Sequence, residues 1–353
     1  MNASPYLSVI IPTYNRAVLL RKTLESVFDQ TFSDYEIIVV DDGSTDRTED
    51  SIAQLLEGRP AQGKRIRYFH QRNQGKSVAL NRGLSETRGE WIAFLDSDDL
   101  WLPDKIEEQF RALHLYASES QACFTDARYI NNPVFQGTAF ECAGKRFPGQ
   151  TAVLTNLGEF AANPFGIMFP TLLVHSRVIR RVGEFDPTLQ VMEDLDYIFR
   201  LALETRLCFV NAPLTLVDRT PHRSEGLIEN LLCNDARSLG QQQRVYEKWL
   251  VLSEGLETSV QKAIRGHLRG VHSKRANWYL MNKQYKEARC ALSAALHARL
   301  TPGTAAKWCL AGAAPALARN IVLKRSQHGT EQKELLAMGC LDAKGRNGAG
   351  RLG

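Results

Sequence analysis

Short apolar runs alternate with amphipathic segments through the first hundred residues. Residues 7–12 form a continuous apolar run of strand length, and residues 17–30 place Leu19, Leu20, Leu24 and Val27 on one face of a helix. Residues 36–40, 65–70 and 90–95 read as further strands, and 46–56 and 76–85 as helices. This β-α-β-α order predicts a parallel, three-layer α/β sheet, because parallel neighbours need helical crossovers that cover both faces. Pro103 then opens a helix carrying Ile106, Phe110 and Leu113. From 122 to 171 the pattern is irregular, with Gly and Pro punctuation. Residues 172–182 and 194–204 read as helical or mixed, and 207–217 as a final strand pair.

Beyond Leu227 strand signals stop and helical periodicity continues to Val322. Residues 264–280, a turn at 282–284 and residues 285–298 predict a helical hairpin with Ala276, Ala288, Ala291 and Ala295 at the contact. The hairpin is like one tetratricopeptide unit, without a second copy at the expected period. The expected domains are therefore 1–227, an α/β catalytic domain, 228–325, a basic helical domain, and 326–353, a polar tail expected to be disordered.

Charge sharpens this division. The net charge is +5, yet residues 258–326 hold thirteen basic residues against the single acid Glu287, leaving +12 there and −7 on the rest. An acidic front suits a cation, and a basic rear suits an anionic membrane surface or polymer; no nucleic-acid partner is expected. Seven cysteines without a C-x-x-C pair favour a reducing compartment. No run approaches the roughly 18 apolar residues of a membrane span, and no secretory signal is visible. The expected location is cytoplasmic or peripheral on the cytoplasmic membrane face.

Three predicted strand ends carry polar clusters: Pro12-Thr13-Tyr14-Asn15-Arg16, Asp41-Asp42-Gly43-Ser44-Thr45-Asp46 and Asp96-Ser97-Asp98-Asp99. Ligands of open α/β sheets bind at such ends. Carboxylates gathered there repel one another unless a cation or a hydrogen-bonding ligand intervenes, and a hard divalent ion with oxygen ligands would meet that need. Neither G-x-G-x-x-G nor G-x-x-x-x-G-K-[ST] follows the first strand, which removes the main support for dinucleotide or P-loop chemistry. Asp46 reads as a helix cap.

The segments SVIIPTYNR (8–16), EIIVVDDGSTD (36–46), NQGKSVALN (73–81), GEWIAFLDSDD (89–99), GEFD (183–186) and EDLD (193–196) together resemble family 2 inverting glycosyltransferases of the GT-A fold, in that family's order across residues 7–225. The resemblance implies a Rossmann-like, mostly parallel sheet with a C-terminal helical extension. It also implies a nucleotide-diphosphate sugar donor, with UDP-sugar favoured, a saccharide or lipid-linked acceptor, and Mn²⁺ or Mg²⁺. Residue by residue, it sets Tyr14 against the nucleobase with Pro12, Thr13, Arg16 and Asp41 around it, and Asp42 on the base's polar edge. Asp96 and Ser97 would lie near the ribose and metal, Asp98 would be the main metal ligand and Asp99 an assistant. Lys76 stands either at the diphosphate or as a solvated lysine. Asp194 is assigned as catalytic base beside Glu193, with Asp196 the competing candidate. His222 completes the metal shell or clamps the donor with Arg223. The alternatives are a nucleotidyltransferase, or a non-catalytic docking protein with a degenerate site.

Overall fold

All seven residues of β1 (Leu7–Thr13) are buried, as a strand covered on both faces must be. The computed structural model describes residues 4–132, 137–147, 149–154, 156–220 and 236–324. After β1 come α1 (Ala17–Phe28), β2 (Tyr35–Asp41), α2 (Thr48–Leu56), α3 (Pro60–Gly63), β3 (Ile66–His70), α4 (Lys76–Glu86) and β4 (Trp91–Phe94). β2 and β4 flank β1 in parallel, and β3 lies parallel beyond β2. The predicted elements are all present here, with their C-terminal strand ends on one edge. α4 rides so close to β1 that a Cβ on Gly83 would lie 2.4 Å from Ile10 Cγ2; only glycine fits that approach.

Asp46 does act as a cap, but on the other helix. Its Oδ2 accepts the Ala17 N–H at the start of α1, at 2.9 Å, while α2 begins later, behind Arg47 at φ +60°. The first turn of α1 thereby gains a partner for a backbone donor that has none within the helix.

The second half differs from the sequence expectation. It contains β5 (Leu100–Trp101), α5 (Lys105–Leu115), β6 (Ser120–Ile130), α6 (Ala139–Cys142), β7 (Thr151–Leu154), α7 (Leu157–Ala162), β8 (Leu173–His175), α8 (Ser176–Val182), α9 (Glu193–Glu204) and β9 (Arg206–Asp218). The sheet order is β3-β2-β1-β4-β8-β6-β9-β5, with β7 also on β9. β8 runs antiparallel to both β4 and β6, β5 and β7 run antiparallel to β9, and β6 runs parallel to β9. The sheet is thus mixed, and parallel throughout only in its first four strands. The stretch read as irregular holds most of the 11-residue β6, whose buried Asp126 hides the strand pattern. That carboxylate accepts the Ala127 and Phe140 N–H groups, which explains how an acid sits inside a strand. The expected strand pair at 207–217 is one 13-residue strand. Its register to β6 jumps from Val210 to Pro213, a bulge placed where proline has no N–H to give the ladder. Past the bulge, β9 carries Asp218 back to the functional edge.

Lys105, at the start of α5, is fully buried. Its Nζ donates to Gln109 Oε1 at 2.7 Å and lies 4.1 Å from the Trp101 ring centroid, and among the described residues no carboxylate pairs with it. Burial lowers its pKa from 10.5 to about 7. Between those two values the unfolded chain holds the proton and the folded chain does not, so this group's contribution to stability improves as pH rises through that window. Lys105→Met should therefore stabilise the protein at pH 7 by about 2 kcal/mol, the relieved cost of charge burial less ~1–3 kcal/mol for the stranded Gln109 oxygen. Urea unfolding at pH 7 and pH 9 checks this: the gain should shrink or reverse at the higher pH, and an unchanged gain would contradict the assignment.

The contacts divide the chain into two compact units, and the second holds only helices among its described residues. They are α10 (Ala236–Leu252), α11 (Thr258–Met281), α12 (Tyr285–Ala298), α13 (Pro302–Ala313) and a helix over 315–324. The predicted hairpin is formed by α11 and α12, with Ala276, Ala288, Ala291 and Ala295 all buried at its contact. No helix among the described residues is long and apolar enough to cross a membrane. The predicted tail at 326–353 lies outside the described residues.

Candidate active site

The first two strand ends are tied to each other and to the loop before α4. Asn15, at φ +51°, donates its N–H to Ser44 Oγ at 2.8 Å, and its Oδ1 accepts the Thr45 N–H at 2.8 Å. Asp41 accepts the Ser44 N–H at 2.7 Å and the Tyr68 hydroxyl at 2.6 Å. Asp42 accepts the Gln71 side-chain amide and the Gln74 and Gly75 N–H groups, at 2.8, 3.0 and 2.7 Å. Gly43 makes the turn between them at φ +85°, where a Cβ would also lie 2.8 Å from the Asn73 nitrogen. Both aspartates are therefore buried parts of the loop scaffold, with each carboxylate oxygen already accepting. Pro12 and Thr13 are buried at the end of β1, and Thr13 accepts the Asp42 N–H at 2.9 Å. Tyr14, just past the end of β1, is 48% exposed.

The third strand end resolves its charge repulsion with the chain's own cations. Lys76 Nζ lies 2.6 Å from Asp96 Oδ1, and Arg16 Nη1 lies 2.7 Å from Asp98 Oδ1. Lys76 is thus an ion-paired side chain, only 21% exposed. Asp99 turns away: it is 1% exposed, and its Oδ1 accepts the Asp218 N–H at 3.1 Å. Ser97 is buried between them. Among the described residues no three acids, histidines or cysteines converge as a metal shell, so the expected trio of Asp96, Asp98 and Asp99 does not meet at one point. His222 and Arg223 lie outside the described residues.

Burial raises the Asp98 pKa with help from Asp96, outweighing Arg16. Burial also opposes ionisation of Asp96, but Lys76, Arg16 and Arg219 overcome it and lower its pKa. Asp99 is pushed well up by burial, then by Asp98 and Asp96. Lys76 loses solvation yet is held charged by Asp96, Glu193 and Asp194, in that order. The field of Lys76 thus joins the third strand end to the acidic start of α9.

That start is held in a strained backbone. Met192, before Glu193, sits at φ +63°, a conformation that costs about 1 kcal/mol or more and requires support from its surroundings. The support comes from α4 and from an aromatic cluster. Asn81 donates to the Phe185 carbonyl at 2.9 Å and accepts the Phe185 N–H at 2.8 Å. The Phe185 ring stacks on Tyr197 of α9 at 3.9 Å, with Phe94 and Phe169 around them. Glu193 is 3% exposed; burial, then Asp194, pushes its pKa up to about 7. Burial also raises Asp194 against the pull of Lys76. Asp196 belongs elsewhere: it is fully buried, and its Oδ2 lies 3.0 Å from Arg200 Nε.

Sequence reasoning missed Arg219 and Asn81. Arg219 follows β9 directly and its charge acts on Asp96, Asp98 and Asp99, while Asn81 closes the 73–81 segment and fixes the loop ahead of α9. A basic residue just past a strand end and an asparagine inside a helix were the available signals.

A mixed sheet whose first four strands are parallel and deliver their loops to one edge, with an acidic helix start coupled to that edge through Lys76, makes an α/β domain of GT-A fold. Residues 8–144 match Glycosyl transferase family 2. The chain is 32% identical over 197 residues to an uncharacterised glycosyltransferase of Rickettsia typhi, covering 56% of this chain and 58% of that one. It is 41% identical over 109 residues to the proposed teichuronic acid biosynthesis glycosyltransferase TuaG of Bacillus subtilis, covering 31% and 42%. The chain thus spans little more than half, or less, of these relatives' lengths. Among solved structures, S. aureus TarS 1–349 in complex with UDP-GlcNAc superposes with a TM-score of 0.64 at 18% identity, over 92% of each chain. The mannosyltransferase PcManGT of Pyrobaculum calidifontis, in complex with GDP-Man and Mn²⁺, gives 0.54 at 20% identity, over 96% and 87%. At these identities the likeness carries the fold.

Proposed function

We propose that the catalytic unit transfers a glycosyl group, with inversion, from a nucleotide-diphosphate sugar to a saccharide or lipid-linked acceptor in cell-surface polysaccharide assembly. The observation that carries this reading is the alignment of Arg16, Lys76 and the Asp96–Asp98 pair opposite Glu193 and Asp194. Tyr14 offers its ring to the nucleobase, and the loop held by Asp42 shapes the pocket edge. Lys76 and Arg16 exchange their carboxylate partners for the donor diphosphate and stabilise its growing negative charge as the sugar bond breaks. Asp194 takes the acceptor hydroxyl proton as that oxygen attacks the anomeric carbon from the opposite face. Asp96 and Asp98 fit a hard divalent ion such as Mn²⁺ or Mg²⁺, which would supply Lewis-acid charge stabilisation at the diphosphate; Asp99, committed to the Asp218 N–H, does not. A UDP-sugar is the favoured donor, in keeping with the ligand of the TarS complex. The proposed location is the cytoplasm, either free or peripheral on the membrane's cytoplasmic face.

Calorimetric titration of UDP, GDP and dTDP, each with Mn²⁺ or EDTA, tests this. One nucleotide should bind in a metal-dependent way, and Asp98→Ala should weaken it by at least tenfold, about 1.4 kcal/mol. Absence of binding by all three nucleotides would sink the donor assignment.

A further inference from the structure

The acids Asp96, Asp98 and Asp99 share the third strand end with the cations Lys76, Arg16 and Arg219, and the cations are not engaged alike. Lys76 and Arg16 are held at ion-pair distance, by Asp96 at 2.6 Å and by Asp98 at 2.7 Å. Arg219 is half-buried, and its charge favours ionisation of all three acids. Among the described residues, its side chain hydrogen-bonds only to the Asp218 carbonyl, at a long 3.5 Å, and lies 6.0 Å from the Tyr129 ring centroid. Its Nε is buried with no hydrogen-bond partner among those residues. The backbone beneath it is fixed. Asp218 donates its N–H to Asp99 Oδ1 at 3.1 Å, Arg219 donates its own to the Ile130 carbonyl at 3.0 Å, and the Asp218 carboxylate accepts the Thr220 N–H at 2.9 Å.

A half-buried guanidinium with an unused donor carries a desolvation cost that an arriving anion relieves, and its planar fork suits two oxygens of one phosphate. Sheet order says which phosphate. The functional edge runs from β2 through β1 and β4 to β9, beyond β8 and β6. A donor whose base lies at Tyr14, past β1, and whose diphosphate lies at Asp96 and Asp98, past β4, points its sugar-bearing phosphate on toward β9. We infer that Arg219 binds the sugar-bearing phosphate of the donor and holds the negative charge that gathers there as the glycosyl bond breaks. This inference rests on the transferase reading and adds a residue to it. The acceptor oxygen bonds to the anomeric carbon while the bond from that carbon to the phosphate oxygen breaks, and the electron pair stays on the phosphate. Arg219 donates hydrogen bonds to that phosphate and keeps its protons. Lys76 and Arg16 reach the diphosphate by leaving a carboxylate, whereas Arg219 reaches it from the Asp218 carbonyl.

The test is calorimetric titration of the full chain with UDP, GDP and dTDP and with UMP, GMP and dTMP, each with Mn²⁺. For the nucleotide that the wild type binds, Arg219→Met should weaken the diphosphate by about 10- to 100-fold, the range for a hydrogen bond to a charged group. The monophosphate, which lacks the phosphate in question, should stay within about twofold. Arg219→Lys should fall between, since an ammonium keeps the charge without the fork. Thermal melting reports on folding; should Arg219→Met melt early, Arg219→Lys decides, and its ratio of diphosphate to monophosphate affinity should still drop. An unchanged ratio in a folded variant, whether both nucleotides lose affinity or neither does, overturns the role of Arg219. Binding of no nucleotide by the wild type overturns instead the donor reading beneath it.

Discussion

Asp194→Asn is expected to lower kcat by about 10²–10⁴, the range for loss of a positioned general base, while nucleotide affinity stays within about twofold, under ~0.5 kcal/mol. The amide keeps the shape and still offers an oxygen to the Leu195 N–H, which Asp194 Oδ1 accepts at 2.7 Å; it cannot take a proton from an acceptor hydroxyl. The wild-type environment suits the base role. Burial lifts the Asp194 pKa above the ordinary aspartate value, and Lys76 stops it rising further. Since the deprotonated form is active, rate should increase with pH through that raised value, and the acid limb of the wild-type profile should lie above the usual aspartate range. Activity of Asp194→Asn within a few-fold of wild type would transfer the role to Glu193, whose pKa near 7 makes it the next carboxylate to examine.

What the sequence disclosed, and what it withheld, follows from the range of the interactions. Buried parallel strands read clearly because β1 and β2 are apolar from end to end, and the helices between them repeat every three to four residues. The clustering of acids at the strand ends was equally legible, since a β-α-β order fixes which loops share an edge. Interactions between distant segments were not. Nothing local marks Arg16 as the partner of Asp98 or Lys76 as the partner of Asp96, so the expected relief was a bound cation or ligand rather than the chain's own side chains. Nothing local marks Lys105 as buried, yet the fold seals it against the Trp101 ring. β6 was obscured by polar residues that find their partners in other segments, Asp126 with the Phe140 N–H and Ser120 with the Cys208 N–H, whereas β9 was legible as strand. Asp42 follows directly on β2, where a strand end was expected, but the three donors that fill its carboxylate come from residues 71–75.

Asp196→Asn should unfold the catalytic unit more readily rather than slow its chemistry, although Asp196 sits two residues from Asp194 in the same acidic motif. One helical turn separates Asp196 from Arg200 on α9, and the pair is closed from solvent, with side-chain exposures of 0% and 13%. Arg200 also donates to the Val182 carbonyl at 2.7 Å and the Glu184 carbonyl at 2.9 Å, so it ties α9 to the end of α8 and to the loop that carries Phe185. Removing the carboxylate charge leaves a guanidinium with its counter-ion gone in a nearly closed site, a change that costs about 3–5 kcal/mol. At ~2–4 °C per kcal/mol for a unit of this size, the melting temperature should fall by roughly 6–20 °C. Arg200→Met should cost a similar amount, because it removes the ion pair to Asp196 and the donors to both carbonyls. The double variant Asp196→Leu with Arg200→Met should recover a large part of the loss, since an apolar pair of similar volume replaces two desolvated charges. Below its lowered melting point, Asp196→Asn should keep a kcat within about threefold of wild type, less than ~0.7 kcal/mol in the barrier. A large loss of kcat with an unchanged melting temperature would instead make Asp196 the base and Asp194 its neighbour.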